Sequence, residues 1–169
     1  MLRLELGRLK HDVGNCLSFD MTADVDSADY GYGDMPLFAP LVLQGKAENM
    51  DGEILLTGQL KATLAIACSR CGLVFPLPFS LPFSEIYTAQ DAALDEEGLQ
   101  DKHAFSGTSI DLAPEALRAL YGQLPMKPLC REDCQGLCPH CGTDLNRASC
   151  SCAVKETDPR WEKLRELNF

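Results

Sequence analysis

Histidine is scarce in this chain: 169 residues include three, His11, His103 and His140. None stands in a pattern with a Ser or Cys nucleophile, so triad-type hydrolysis has no visible machinery. Phosphate-cradling glycine loops are lacking too, because Gly31 and Gly33 have neither a following Lys nor a helical pattern. Basic charge is short. Fifteen Lys and Arg face 25 Asp and Glu, a formal net charge of −10, which repels phosphate backbones and attracts basic partners. No apolar run approaches the ~20 residues of a membrane helix, and the first six residues alternate without the apolar stretch of a leader. The chain is therefore expected in the reducing cytoplasm.

Cysteine is what the chain has in quantity: nine residues, eight of them clustered. One group is Cys138-Pro-His-Cys141-Gly142 with Cys150 and Cys152 close behind. A second Cys-x-x-Cys-Gly, Cys68-Ser-Arg-Cys71-Gly72, lies far upstream, and Cys130 and Cys134 sit between the two. In a reducing compartment such thiols read as metal ligands before disulfides. The Gly-terminated knuckle brings two thiolates onto one ion, and Gly lets the backbone curl beneath the sulfurs. Zinc is preferred to an iron–sulfur cluster because no redox-partner motif accompanies the cysteines.

One pairing joins Cys138 and Cys141 to Cys150 and Cys152, and Cys68 and Cys71 to Cys130 and Cys134. The alternative gathers Cys130, Cys134, Cys138 and Cys141 in one compact site. Four thiolates leave no open coordination position, so such sites are structural and not hydrolytic. Two of them filled with a divalent ion would take the charge to roughly −14. His140, lying between two ligands, is expected to point outward, and Cys16 reads as a small core residue.

The element pattern predicts an α+β protein, with an antiparallel sheet (a meander or partial barrel) in residues 1–88. An acidic linker at 89–108 and a helical, zinc-braced module at 109–169 complete it. Residues 20–34 read as an acidic loop. Leu41–Glu48 and Glu53–Ala67 read as strands around the turn Asn49-Met50-Asp51-Gly52, with Gly58 a candidate bulge. Beyond the first knuckle, Phe75, Leu77, Phe79, Leu81 and Phe83 alternate with Pro76, Pro78 and Pro82. Prolines of one parity delete donors on one side of a strand, which places it at a sheet edge. Asp111 is expected to cap a helix carrying Pro114 in its first turn. Another helix should open at Thr157-Asp158-Pro159, with Trp161, Leu164 and Leu167 on one face.

In this order the elements resemble the bacterial YceD family. The resemblance is carried by Cys68-Ser-Arg-Cys71-Gly72, Ile110-Asp111-Leu112 and Leu124-Pro125-Met126-Lys127-Pro128-Leu129-Cys130. It continues through Cys134-Gln-Gly136-Leu137-Cys138-Pro-His-Cys141-Gly142, Asp144-Leu145-Asn146, Cys150-Ser-Cys152 and Asp158-Pro159-Arg160-Trp161. It implies a cytoplasmic role in the accumulation of large-subunit ribosomal RNA. The resemblance and the acidic balance together point to a non-enzymatic assembly factor that holds a basic ribosomal protein or an assembly partner. Direct RNA binding by the metal module is the alternative, although residues 127–169 carry seven Lys or Arg against seven Asp or Glu. A thiol-based redox switch is a second alternative.

Overall fold

The structure, a computed structural model, describes residues 2–25, 37–89 and 102–152. Strand β1 (Arg3–Glu5) leads through a turn of 3-10 helix (Gly7–Lys10) to β2 (Cys16–Ala23) and β3 (Leu37–Met50). Then follow β4 (Glu53–Ala67), β5 (Val74–Ala89), β6 (Lys102–Phe105), β7 (Ser109–Asp111) and helix α1 (Ala113–Gly122). Strands β2 to β6 form one curled sheet in sequence order, and β1 pairs with β7 in a second, two-stranded sheet.

The purely antiparallel sheet expected from the sequence needs correction. Strands β2 to β5 are antiparallel neighbours, but β6 joins β5 in parallel, with Ile86 opposite Lys102 and Tyr87 opposite His103. A four-residue strand carries too little alternation to be seen, and Lys102 and His103 look like the end of a polar linker. At the other end of the chain, Asp20–Ala23, read as loop, belongs to β2. The C-terminal helix expected around Trp161, and most of both acidic stretches, lie outside the described residues.

The long hairpins follow local chemistry. Asp51 and Gly52 take positive φ (57° and 92°) between the paired Met50 and Glu53, a tight turn matched to strand twist. Gly58 is not a bulge: it stands in register opposite Gly45, and the irregular pairing lies instead between Leu37 and Val42. Phe19 neighbours Gly45 in that same cross-strand row, and Phe83 neighbours Gly58. A Cβ on Gly45 would lie 2.2 Å from the Thr57 carbonyl oxygen and 3.0 Å from the Phe19 ring. The glycines thus permit a close backbone approach, and two buried rings flank the gap.

In β5 the prolines Pro76, Pro78 and Pro82 are exposed while Phe75, Leu77, Phe79 and Leu81 are half-buried. Their segment has β4 on one side only; β6 pairs just Ile86–Ala89, beyond the last proline. That unpaired side is where a strand tolerates the donors that proline deletes.

One buried cluster draws Leu41, Leu43, Leu56, Leu60 and Leu64 from the sheet, Leu2 and Leu6 from the N-terminus, and Leu112, Ala116 and Leu120 from α1 and its approach. The cap of α1 shifts by one residue from the expected position. Leu112 is the N-cap, and the Asp111 carboxylate accepts from the Ala113 N–H at 3.1 Å. Tyr121, expected in the apolar stripe, is exposed. Among the described residues no helix is long and apolar enough to cross a membrane.

Candidate metal centres

The β4–β5 hairpin ends in the first knuckle. The Cys68 N–H donates to the Leu73 carbonyl and the Gly72 N–H to the Cys68 carbonyl, both at 2.9 Å. The second knuckle repeats the pattern on irregular backbone: Cys138 N–H to Thr143 carbonyl at 2.8 Å, Gly142 N–H to Cys138 carbonyl at 2.9 Å. Gly72 and Gly142 share a left-handed φ, 72° and 73°. A Cβ is costly in that conformation, which explains glycine after each second cysteine.

Folding brings the eight clustered thiols into two groups, Cys68 with Cys71, Cys130 and Cys134, and Cys138 with Cys141, Cys150 and Cys152. The compact alternative of Cys130, Cys134, Cys138 and Cys141 is not the grouping found. In the first group, Sγ of Cys68 lies 3.8 Å from Sγ of Cys134, and Sγ of Cys71 lies 3.7 Å from that of Cys130. Thiolates about 2.3 Å from a tetrahedral zinc lie about 3.8 Å from one another. A disulfide needs about 2.05 Å, and all nine cysteines are free thiols. Both groups are therefore positioned to bind a metal ion. His140 is exposed and in neither group. Cys16 is exposed at the start of β2, which corrects its reading as a core residue: it falls on the outward parity of a strand that buries Phe19.

The first group clamps segments far apart in sequence. Cys130 and Cys134 arrive on a loop that follows α1. Ser69 donates to the Pro128 carbonyl at 2.8 Å, and the Arg70 guanidinium donates to the Cys134 carbonyl at 2.7 Å. Gly136 has φ 75°, and a Cβ there would lie 3.0 Å from the Arg70 carbonyl oxygen.

N–H groups also reach the sulfurs: Arg70 N–H to Cys68 at 3.4 Å and Asn146 Nδ2 to Cys134 at 3.6 Å. Asn146 comes from the second knuckle's own loop, and its Oδ1 accepts from Arg131 and from the Gln135 N–H, both at 2.8 Å. Sequence reasoning missed Arg70 and Asn146 as supports; the run Asp144-Leu145-Asn146 was the available signal. Such outer contacts orient ligands and tune the charge on sulfur.

The thiols do not share one acidity. A backbone hydrogen bond at Cys130 is the main force holding the Cys68 thiol down at about 6, while burial pushes Cys130 up to about 12. In the second group, the Thr143 hydroxyl, 3.1 Å away, leads in lowering Cys141 to about 6. The hydrogen bond with Cys141 leads in raising Cys152 to about 12. A backbone hydrogen bond at Cys141 also holds the Cys138 thiol down. Each group thus contains a thiol that ionises readily and one that gives up its proton only to a strong competitor, which a divalent metal is.

A curled sheet whose main hairpin is tipped by a cysteine knuckle, with a second knuckle module tied beneath it, defines a small β-rich protein with paired four-thiolate centres. Comparison with known sequences gives the family: residues 56–168 match the model described as large ribosomal RNA subunit accumulation protein YceD. The chain belongs to the YceD family. It is 32% identical over 130 residues to an uncharacterized protein of Mycobacterium tuberculosis, covering 76% of this chain and 62% of that one. A Mycobacterium leprae protein, also uncharacterized, is 31% identical over 134 residues, 76% of this chain and 59% of its own length. The large ribosomal RNA subunit accumulation protein YCED homolog 1, chloroplastic, of Arabidopsis thaliana is 24% identical over 98% of this chain and 59% of its own length. The chain thus spans about three-fifths of the length of the curated relatives it matches. No solved structure matches it.

Proposed function

We propose that this protein is a non-enzymatic, cytoplasmic factor supporting large-subunit ribosomal RNA accumulation, and that it acts by holding a basic ribosomal protein or an assembly partner. The observation that carries the reading is the family match over residues 56–168. The formal charge of −10 supports it, because an acidic body attracts basic proteins and repels bare phosphate. In this reading each four-cysteine group holds one zinc. The S···S separations in the first group suit zinc's tetrahedron, and four thiolates leave no position for a reacting water. The metal braces the surface that meets the partner. Cross-linking in cells followed by affinity purification tests the proposal. Recovery of a ribosomal protein or assembly factor supports it; recovery of neither, at native expression, rejects it.

One observation favours direct RNA contact as a second reading. Arg131 and Arg147 line a hollow of about 290 Å³ beside Cys71, Cys130 and Asn146. Both arginines also face acids, Asp133 and Asp144, each at 3.4 Å. The positive field there is partly cancelled, which places this reading second. A filter-binding titration decides it: RNA affinity that falls steeply with salt and is lost in Arg131→Ala/Arg147→Ala moves it to first place.

A further inference from the structure

The parallel strand β6 creates a side-chain cluster far from the cysteines in sequence. Tyr87 and His103 are register partners on adjacent strands, and Glu85 precedes Tyr87 by two residues on the same face. Helix α1 brings Glu115 and Arg118 to that face. Nε2 of His103 lies 3.0 Å from Oε2 of Glu85, and its Nδ1 lies 3.1 Å from Oε1 of Glu115. Arg118 donates to both oxygens of Glu85 at 3.1 Å, and its Nε lies 2.8 Å from Oε2 of Glu115. The Glu85 and Glu115 side chains are only 16% and 15% exposed, so this is no solvated surface pair.

Two further features separate the cluster from a plain ion-pair network. Tyr87 is 3% exposed, and its hydroxyl has no hydrogen-bond partner. A cavity of about 630 Å³ is lined by Tyr87, His103, Glu115 and Arg3. A buried phenol without a partner is costly unless something satisfies it. A closed network needs neither an open cavity nor a spare donor.

We infer that Glu85, His103 and Glu115 form a third metal site, taking a divalent transition ion through one ring nitrogen and one oxygen from each carboxylate. The three ligand atoms lie within 4.8 Å of one another. Donors about 2.1 Å from one ion and at right angles are about 3.0 Å apart, which the Nε2–Glu85 pair matches; Glu115, now beside the other ring nitrogen, turns an oxygen within the 4.8 Å span to reach the same ion. The ligands come from β5, β6 and α1, as in sites assembled by a fold. Arg118 holds carboxylate oxygens from the exposed side, and the cavity supplies water for the remaining positions. The Tyr87 hydroxyl donates to, or accepts from, a water on the ion. Nitrogen and oxygen donors select a harder ion than the thiolate groups do, and the open positions differ from their closed tetrahedra.

The test uses the full chain with both cysteine groups first filled with zinc. Calorimetric titration with Co²⁺ is then followed by absorption. One further equivalent is expected, with the weak visible bands of a five- or six-coordinate nitrogen–oxygen site. Cobalt displacing zinc from thiolates would instead show intense sulfur charge-transfer bands. His103→Ala and Glu115→Gln should abolish the extra equivalent while two zincs per chain are retained, which reports folded chains. Tyr87→Phe leaves all ligands in place and should weaken cobalt roughly 10-fold, the scale of an outer-shell contact. No extra equivalent in the native chain, or one that survives all three substitutions unchanged, overturns the inference.

Discussion

The two cysteine groups use the same knuckle and build opposite kinds of site. Both knuckles share a turn, a left-handed glycine and a backbone hydrogen bond across it. The first tips the long β4–β5 hairpin and closes on Cys130 and Cys134, so pairs such as Cys68 and Cys134 stand 66 residues apart. The second gathers everything between Cys138 and Cys152. By chain-entropy reckoning, a cross-link over the longer loop is worth about 4 kcal/mol and one over the shorter about 3 kcal/mol. The first site is also the drier, with Cys68 and Cys134 buried, whereas Cys141 and Cys152 are exposed. One motif therefore serves as a long-range clamp in one place and a local staple in the other, according to what its neighbours are attached to.

Acid should produce the largest effect and could break the comparison. Cys130 and Cys152, both pushed up to about 12, must lose protons when metal binds near neutral pH. Lower pH therefore returns protons and weakens metal at both sites. As pH falls through about 6, the value for Cys68 and Cys141, these thiols add their protons to the competition and the loss steepens at both sites. A chromophoric chelator followed from pH 7.5 to 4.5 should show both ions leaving in one window. Release of one ion more than a pH unit before the other would show that burial, not thiol acidity, governs affinity.

Substitution of Cys134 by Ser comes next. It should remove one metal of two and cost about 4 kcal/mol in thermal unfolding, with Cys71→Ser releasing the same ion. Cys141→Ser should remove the other ion for about 3 kcal/mol, leaving hydrogen-exchange protection in β4 and β5 intact. If the two losses are equal, the clamp and staple distinction fails. Gly136→Ala should cost roughly 1–2 kcal/mol, since it meets both a left-handed φ and the Arg70 carbonyl. It should lower the first site's affinity and spare the second. Asn146→Ala is expected to have the smallest effect, about 1 kcal/mol for its lost hydrogen bonds. Because Asn146 sits in one module and touches a sulfur of the other site, an effect on the second site alone would contradict the geometry.

The proline strand shows how far local pattern reaches. Alternation of Phe and Leu with Pro fixed both the inward face of β5 and its unpaired side, because parity and missing donors are properties of the strand itself. Gly58 shows the limit. A glycine within a strand signals that something comes close, but Gly45 and Phe19, its neighbours across the sheet, cannot be named without the register. Asp111 lay one residue from the true cap, a shift that side-chain chemistry alone does not resolve.

By itself, the sequence determined which eight cysteines cluster, where both knuckles turn, and the strand character of residues 41–83. Each of these depends on bonded neighbours and on spacing within a few residues. The tertiary structure alone decided that Cys68 and Cys71 meet Cys130 and Cys134, because that encounter requires the hairpin tip and the loop after α1 to be folded against one another. It also decided that a short strand returns in parallel beside Tyr87, setting His103 between Glu85 and Glu115. Contacts across such distances depend on how buried faces pack, and no local pattern along the chain records them.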